Sequence, residues 1–465
     1  MARGGGLAPS PSRCSGKRRR PRPDPSLRLL QKARGGERMR ARASPGARGG
    51  DTAGHGLLGI LDRLWKEGHG DWTQLPPDLL TTIFGELEIL DLLHSGAVCT
   101  SWHSAYSTFR RLRLPSPKQP PCLLYASAAC GPDAASLHFP STSATFRTPE
   151  PPLRFGSLQL AGSGHGWPVA ADEVSNLHLL NPITGGHVAL PPITEMRGVE
   201  SSLDDEGDLA YTFTDFSAPA EEDPFSLPAV EARETMYHRA VLSCSPSAGS
   251  ACVVLLIHMP LAELSFARVG DERWTALAEC TGLQRRNFHS NAAYNAADGL
   301  FYVLSYDGSM HTLDLNGPSP VATKIIPGSK FDQPFSSYLV QTPWGDLLQA
   351  WRFRKYLSEL NTTELRLYKV DAHGQKLVKV DSVGDHALFL GYNGSMCLPI
   401  KDFPWLRPNC AYITNDSFEY IMCCKSSKRE IGVWSIQNQN LHNLGGTSPP
   451  WLNWPTPIWI VPSLL

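Results

Sequence analysis

Residues 71–109 read DWTQLPPDLLTTIFGELEILDLLHSGAVCTSWHSAYSTF, and their apolar positions recur at helical spacing. Pro77 and Asp78 suit a first turn, where proline has no N–H to leave unpaired and a carboxylate faces the positive end of the helix dipole. Leu79, Leu80, Ile83, Phe84 and Leu87 then follow at i, i+1, i+4, i+5 and i+8. That stripe is too broad for one side of a surface helix. Gly85 falls within the predicted helix at a cost of about 1 kcal/mol relative to alanine, so a tertiary contact is expected to hold it. A second short helix is predicted near Asp91 to His94, and a third carries Val98, Trp102, Ala105, Tyr106 and Phe109. A unit of about 40 residues is seldom stable alone, and its surplus of apolar helical surface predicts an obligate partner face.

Outward from this unit, toward the N-terminus, residues 1–50 hold 14 Lys or Arg against Asp24 and Glu37, a net charge of +12. The whole chain of 465 residues carries −1, which leaves −13 on residues 51–465. A body this acidic is a poor grip for a phosphate backbone, so no nucleic-acid partner is expected for it. Residues 1–50 are rich in Gly, Pro, Ser and Arg and read as a disordered tail, because they cannot bury enough surface to offset backbone ordering. Lys17, Arg18, Arg19, Arg20 and Arg22 suit a nuclear import signal; a plastid transit peptide and an inert basic tail are the other readings. Within 51–70, Leu57, Leu58, Ile60, Leu61, Leu64 and Trp65 share one face of a short amphipathic helix. The chain shows no secretory apolar core and no run of about 18 apolar residues; the nearest, Ala251 to Ile257, is strand-sized. No membrane partner is expected, and the expected location is nucleus, cytoplasm or both.

Outward in the other direction, Pro115, Pro117, Pro120 and Pro121 make residues 115–121 a stiff linker that closes the helical segment 71–114. Residues 122–465 are strand runs divided by turns: Leu177 to Leu180 before Asn181-Pro182, Leu300 to Leu304 before Asp307-Gly308, and Leu365 to Val370 before Gly374. Repeated hairpins of this kind are the pattern of a β-propeller. At about 45–50 residues per blade, the length allows six or seven blades. The predicted fold is therefore a small three-helix unit followed by an all-β propeller.

Two resemblances attach to these residues. Leu75-Pro76-x-Asp78-Leu79-Leu80, Ile83-Phe84, Leu87, Asp91-Leu92-Leu93 and Ala97-Val98-Cys99-x-x-Trp102, with the Asp71-Trp72 lead-in, resemble the F-box. The doubled proline Pro76-Pro77 departs from the single proline more usual there. Tyr302-Val303 with Asp307-Gly308, Tyr338 to Val340 with Gly345-Asp346, Arg407 to Ile413, and above all DSVGDHALFLGYNGS at 381–395, resemble the plant F-box family with a KIB-type β-propeller. The acidic insert from Asp204 to Asp223 and the Trp/Pro-rich end from Pro449 depart from that family's pattern. The resemblance implies docking on a Skp-type adaptor and, through it, a cullin scaffold. Leu75, Pro76, Leu79, Leu80, Ile83, Leu87, Leu92, Val98, Cys99 and Trp102 would carry the adaptor contact, and the propeller would hold a protein substrate.

Enzymatic motifs are missing: no GxxxxGK[ST], GxSxG or HExxH occurs. Gly162-Ser163-Gly164-His165-Gly166 reads as a loop, and His165, His178, His187 and His238 read as surface or satisfied histidines. Trp274, Trp344, Trp351, Trp405 and Trp434 read as blade core, and Asp204-Asp205 as a solvated turn. Eleven scattered cysteines without a CxxC pair suggest reduced thiols and no zinc site. The expected function is thus a substrate-recognition subunit of a Skp/cullin/F-box ubiquitin ligase, without catalytic residue, cofactor or metal. The alternative is an interaction protein that sequesters or inhibits a signalling partner.

Overall fold

Proline at the first position and threonines one turn in start a helix at Pro77: the Thr81 and Thr82 hydroxyls donate back to the Pro77 and Asp78 carbonyls, each at 2.9 Å. The computed structural model describes residues 72–112, 119–127, 129, 131, 133–148, 153–214, 224–283, 288–328, 334–354, 361–416, 429–444 and 454–464. The basic tail with its candidate import signal, the predicted helix in 51–70 and most of the Pro-rich linker lie outside these residues. The chain divides between Pro117 and Lys118 into two compact units. Among the described residues no helix is long and apolar enough to cross a membrane.

In the first unit a 3₁₀ turn at Trp72–Gln74 precedes helices α1 (Pro77–Gly85), α2 (Ile89–Ser95) and α3 (Thr100–Arg111). Gly85 is the last residue of α1, not an interior one, and a Cβ built there meets nothing within 4 Å. The expected tertiary clamp on Gly85 is therefore absent, because at a helix end the residue needs none. The glycine that matters is Gly96, after α2, where a Cβ would stand 2.7 Å from the Tyr106 ring. Its bare Cα lets α2 close on α3.

The second unit is a ring of largely antiparallel sheets. Blade 1 combines Cys122–Ala126, Ala135–Phe139 and Ala144–Arg147 with Ile458–Ile460, which pairs antiparallel to Cys122–Ala126. Blade 2 spans residues 159–189, blade 3 residues 237–276, blade 4 residues 289–326 and blade 5 residues 336–380, each with four strands in sequence order. Blade 6 has five strands, because His386–Leu390 lies parallel to Cys410–Ile413 and antiparallel to Met396–Pro399. The Trp/Pro-rich end, a departure in the sequence, thus supplies the strand that closes the ring.

A seventh sheet of three strands, Val199–Leu203, Leu209–Phe213 and Phe225–Pro228, falls between blades 2 and 3 in sequence and is followed by α4 (Ala229–Thr235). It does not separate those blades at the hub. Gly162 of blade 2 lies so close to blade 3 that a Cβ there would be 2.2 Å from the Ala240 carbonyl oxygen. Elsewhere in the ring the Ser163 hydroxyl donates to Trp459 O at 3.0 Å and Asn291 Nδ2 donates to Ser337 O at 2.8 Å. The Phe389 ring meets that of Trp459 edge-on at 5.1 Å, joining blade 6 to blade 1. Among the described residues the ring therefore has six radial blades, and the described part of the acidic insert, residues 204–214, is a turn and the middle strand of an accessory sheet; its residues 215–223 lie outside the described ones.

Two sequence readings change and a third is met. Gln159–Gly164 is the innermost strand of blade 2, not a loop, since glycine is what so close a backbone approach requires. Trp274, Trp351 and Trp434 are buried as expected, but Trp344 is 48% exposed on a turn, where its Nε1 donates to Asp346 at 3.0 Å. His178 is a satisfied histidine, bonded to Asp172 at 2.8 Å and to His187 at 2.9 Å.

Two consequences can be measured. Trp459→Ala empties a wholly buried site in the closing strand and is expected to cost about 3–5 kcal/mol; an unchanged urea midpoint would contradict the closure. Burial also pulls His238, His258 and His289 down to about 4. The unfolded chain, with histidine near about 6.5, takes up protons that the folded chain refuses. Their stabilising contribution is present above about pH 6.5 and lost as pH falls toward about 4. The melting temperature should drop through that window, and His258→Phe should soften the drop.

Candidate functional site

The three helices share their apolar residues between two faces. On α1, Leu80 and Phe84 are four apart and point into the unit, where Phe84 meets Trp102 edge-on at 5.7 Å and Phe109 at 6.2 Å. Ile89 and Leu92 of α2 and Trp102, Ala105, Tyr106 and Phe109 of α3 complete that core. Leu79 and Ile83, each one position earlier than a core residue, are turned about 100° away around the helix. They are half-buried, as are Leu75, Leu87, Val98 and Cys99, while Pro76 is exposed.

The ten residues of the candidate contact therefore separate. Leu80, Leu92 and Trp102 are interior, with 1%, 0% and 4% of their surface exposed. The other seven keep accessible surface. The breadth of the sequence stripe was the signal for two faces, but spacing alone does not say which residues of a broad stripe turn inward. The Ser101 hydroxyl donates to Thr73 O at 2.8 Å, fastening the 3₁₀ turn to the start of α3.

A second constellation lies at the hub of the propeller. Arg239, on the inner strand of blade 3, donates to Gly391 O at 2.8 Å and is paired with Asp416. Tyr338, on the inner strand of blade 5, donates to the other Asp416 oxygen at 2.6 Å and accepts from Arg352 at 2.8 Å. Arg352, fully buried, also reaches Glu430 at 2.6 Å and the Thr362 hydroxyl at 2.8 Å. Two guanidinium groups thus meet two carboxylates without surplus charge. Arg239 further lies over the Tyr338 and Tyr392 rings, at 5.9 and 5.6 Å from their centroids.

This cluster is poorly suited to acid–base chemistry. Burial, with the Asp416 charge added, pushes the Tyr338 hydroxyl well above its ordinary range despite the opposing charges of Arg352 and Arg239. Burial works against the charge on Arg352, but Tyr338, Glu430 and Asp416 together hold it more firmly protonated than usual. Groups so far from neutral pH neither give nor take protons readily. The arrangement ties blades 3, 5 and 6 together. Sequence reading missed it; the available signal was a single arginine inside mostly apolar strand runs, YHRAVL at 237–242 and LLQAWRF at 347–353. Among the described residues no group of three or more His, Cys, Asp or Glu could hold a metal ion.

Comparison with known proteins places these parts. The KIB1-4 β-propeller family model matches residues 136–435, and an F-box-like model matches residues 72–114. Among relatives in Arabidopsis thaliana, F-box protein At5g25290 is 23% identical over 417 residues, covering 81% of this chain and 94% of its own. F-box protein At2g05970 is 23% identical, with 75% and 85% covered. F-box/kelch-repeat protein At1g64840 is 21% identical, with 79% and 92% covered.

If the hub cluster braces the ring, Arg352→Ala leaves buried carboxylates uncompensated and should cost about 3–5 kcal/mol. Adding Glu430→Gln should recover part of the loss, read from urea unfolding of the single and double variants; strictly additive losses would show that the pair is not coupled.

Proposed function

The chain belongs to the KIB1-4 β-propeller family, and from that premise we propose that it is the substrate-recognition subunit of a Skp/cullin/F-box ubiquitin ligase. The observation that carries this reading is the second apolar face of α1. Leu79 and Ile83 lie beside a core already completed by Leu80, Phe84 and Trp102 and keep accessible apolar surface of their own. With Leu75, Pro76, Leu87, Val98 and Cys99 they form the surface assigned here to a Skp-type adaptor, which joins the chain to a cullin. Leu80, Leu92 and Trp102 support that surface from within.

The propeller's part is to hold a protein substrate. Its contribution to ubiquitination is proximity: a bound substrate presents its lysines to the charged ubiquitin carrier at high effective concentration. Bond making and breaking belong to other subunits, and a hub in which Arg239 and Arg352 are paired with Asp416 and Glu430 fits a rigid platform better than a reaction centre. The chain is then an adaptor with no catalytic residue and no cofactor.

Co-purification with a Skp-type adaptor tests the assignment. Leu79→Asp combined with Ile83→Asp should abolish recovery, since truncating one interface anchor already costs about 2 kcal/mol or more. The helical circular dichroism of the variant should be retained, because the inward residues are untouched. Undiminished recovery would refute the docking face. Substrate abundance that rises on deleting residues 72–112 would support a ligase, whereas unchanged abundance with retained binding would favour sequestration.

A further inference from the structure

The inner hairpin of blade 3 ends in a pair of cysteines. Its strands Tyr237–Leu242 and Val253–His258 are paired antiparallel, with Leu242 opposite Val254. One step outward, Ser243 N donates to Val253 O at 2.9 Å, and Val253 N donates to the Ser243 hydroxyl at 2.9 Å. Just beyond lie Cys244 and Cys252. The Cys252 thiol donates to the Cys244 carbonyl oxygen at 3.2 Å, and the Cys244 thiol donates to Ser245 O at 3.7 Å. Cys252 is wholly buried and Cys244 half-buried, and both are free thiols.

We infer that Cys244 and Cys252 form a reversible disulfide when the protein meets a peroxide. The 3.2 Å contact of the Cys252 sulfur with the Cys244 carbonyl oxygen sets the two residues side by side, and a disulfide bridges Cα atoms about 4.4–6.8 Å apart. The connection between them is already a closed turn: the Ser245 side chain accepts from Ser247 N, and Gly249 takes a φ of +62°. Oxidation would therefore join two side chains that the hairpin already holds together, with little backbone movement.

Access orders the two steps. Burial, reinforced by the neighbouring Cys244, pushes the Cys252 thiol up to about 12, so the half-buried Cys244 is the sulfur that meets the reagent first. Its thiolate attacks one peroxide oxygen, the O–O bond breaks, and a sulfenic acid forms with release of water. The Cys252 sulfur then attacks the Cys244 sulfur, the S–O bond breaks, and a second water leaves with the Cys252 proton. Two thiols are oxidised and one peroxide is reduced.

The plainer reading is that both cysteines merely fill the hairpin end as small apolar residues. The two readings differ in what hydrogen peroxide does to the native full-length protein. After mild treatment, alkylation and peptide mapping, the inference expects one linked peptide pair containing Cys244 and Cys252, lighter by two hydrogens and restored by dithiothreitol. Cys252→Ser should abolish the link and leave Cys244 as a sulfenic or sulfinic acid. Both thiols remaining alkylatable, linkage only after denaturation, or linkage of either cysteine to a different one would overturn it.

Discussion

A ring of sheets has no natural end, and this imposes the constraint on which the propeller depends. A blade built from Cys122–Ala126, Ala135–Phe139 and Ala144–Arg147 alone would present the inner edge of Cys122–Ala126 unpaired at the hub. Unpaired backbone groups in a buried position are costly, and an exposed edge invites pairing with another chain. The strand Ile458–Ile460 removes both problems by pairing Cys122 with Ile460, Leu123 with Trp459 and Leu124 with Ile458. Trp459 then carries the closure sideways, touching Phe389 and Tyr412 of blade 6 and accepting from Ser163 of blade 2. Blade 1 becomes complete only when the far end of the chain arrives.

The hub makes a second, polar demand on the same ring. Inner strands converge, so side chains there have little room, and blade 2 answers with Gly162 and Gly164 against Ala240 and Leu242. Blades 3, 5 and 6 answer with Arg239, Tyr338, Arg352, Asp416 and Glu430 in one neutral network. A buried ion pair adds little stability against a well-packed apolar alternative, but losing one member is expensive. Its value here is geometric: Arg239 of blade 3 and Arg352 of blade 5 both reach segments of blade 6, which fixes how the blades meet.

The sequence announced the two-part architecture through its composition, in Pro115 to Pro121 and the switch from helical to strand spacing. It also announced individual hairpins such as Leu300–Ser305 with Met310–Asp314. Blade boundaries were hidden for physical reasons. The inner strand of blade 2 contains two glycines, which read as a break, and the closing strand is three residues long inside a Trp/Pro-rich stretch. The accessory sheet was hidden by its acid-rich turn, Asp204 to Asp208, which looks like loop because Leu203 and Leu209 beside it are exposed. At the hub, residues distant in sequence such as Arg239 and Asp416 meet only through the ring, so no local pattern announces them.

The helical unit shows why a motif can identify a docking module and still blur its contact residues. About 40 residues must furnish both a core and an interface, and α1 does so by offsetting the two sets by one position: Leu80 and Phe84 inward, Leu79 and Ile83 beside them. On the proposed docking, losing the inward set would act through unfolding and losing the offset set through contact. Loss of adaptor binding on changing Trp102 would therefore say nothing about contact, since that ring packs on Phe84 inside the unit. The informative positions are those whose removal leaves the core whole, and the one-residue offset on α1 supplies them.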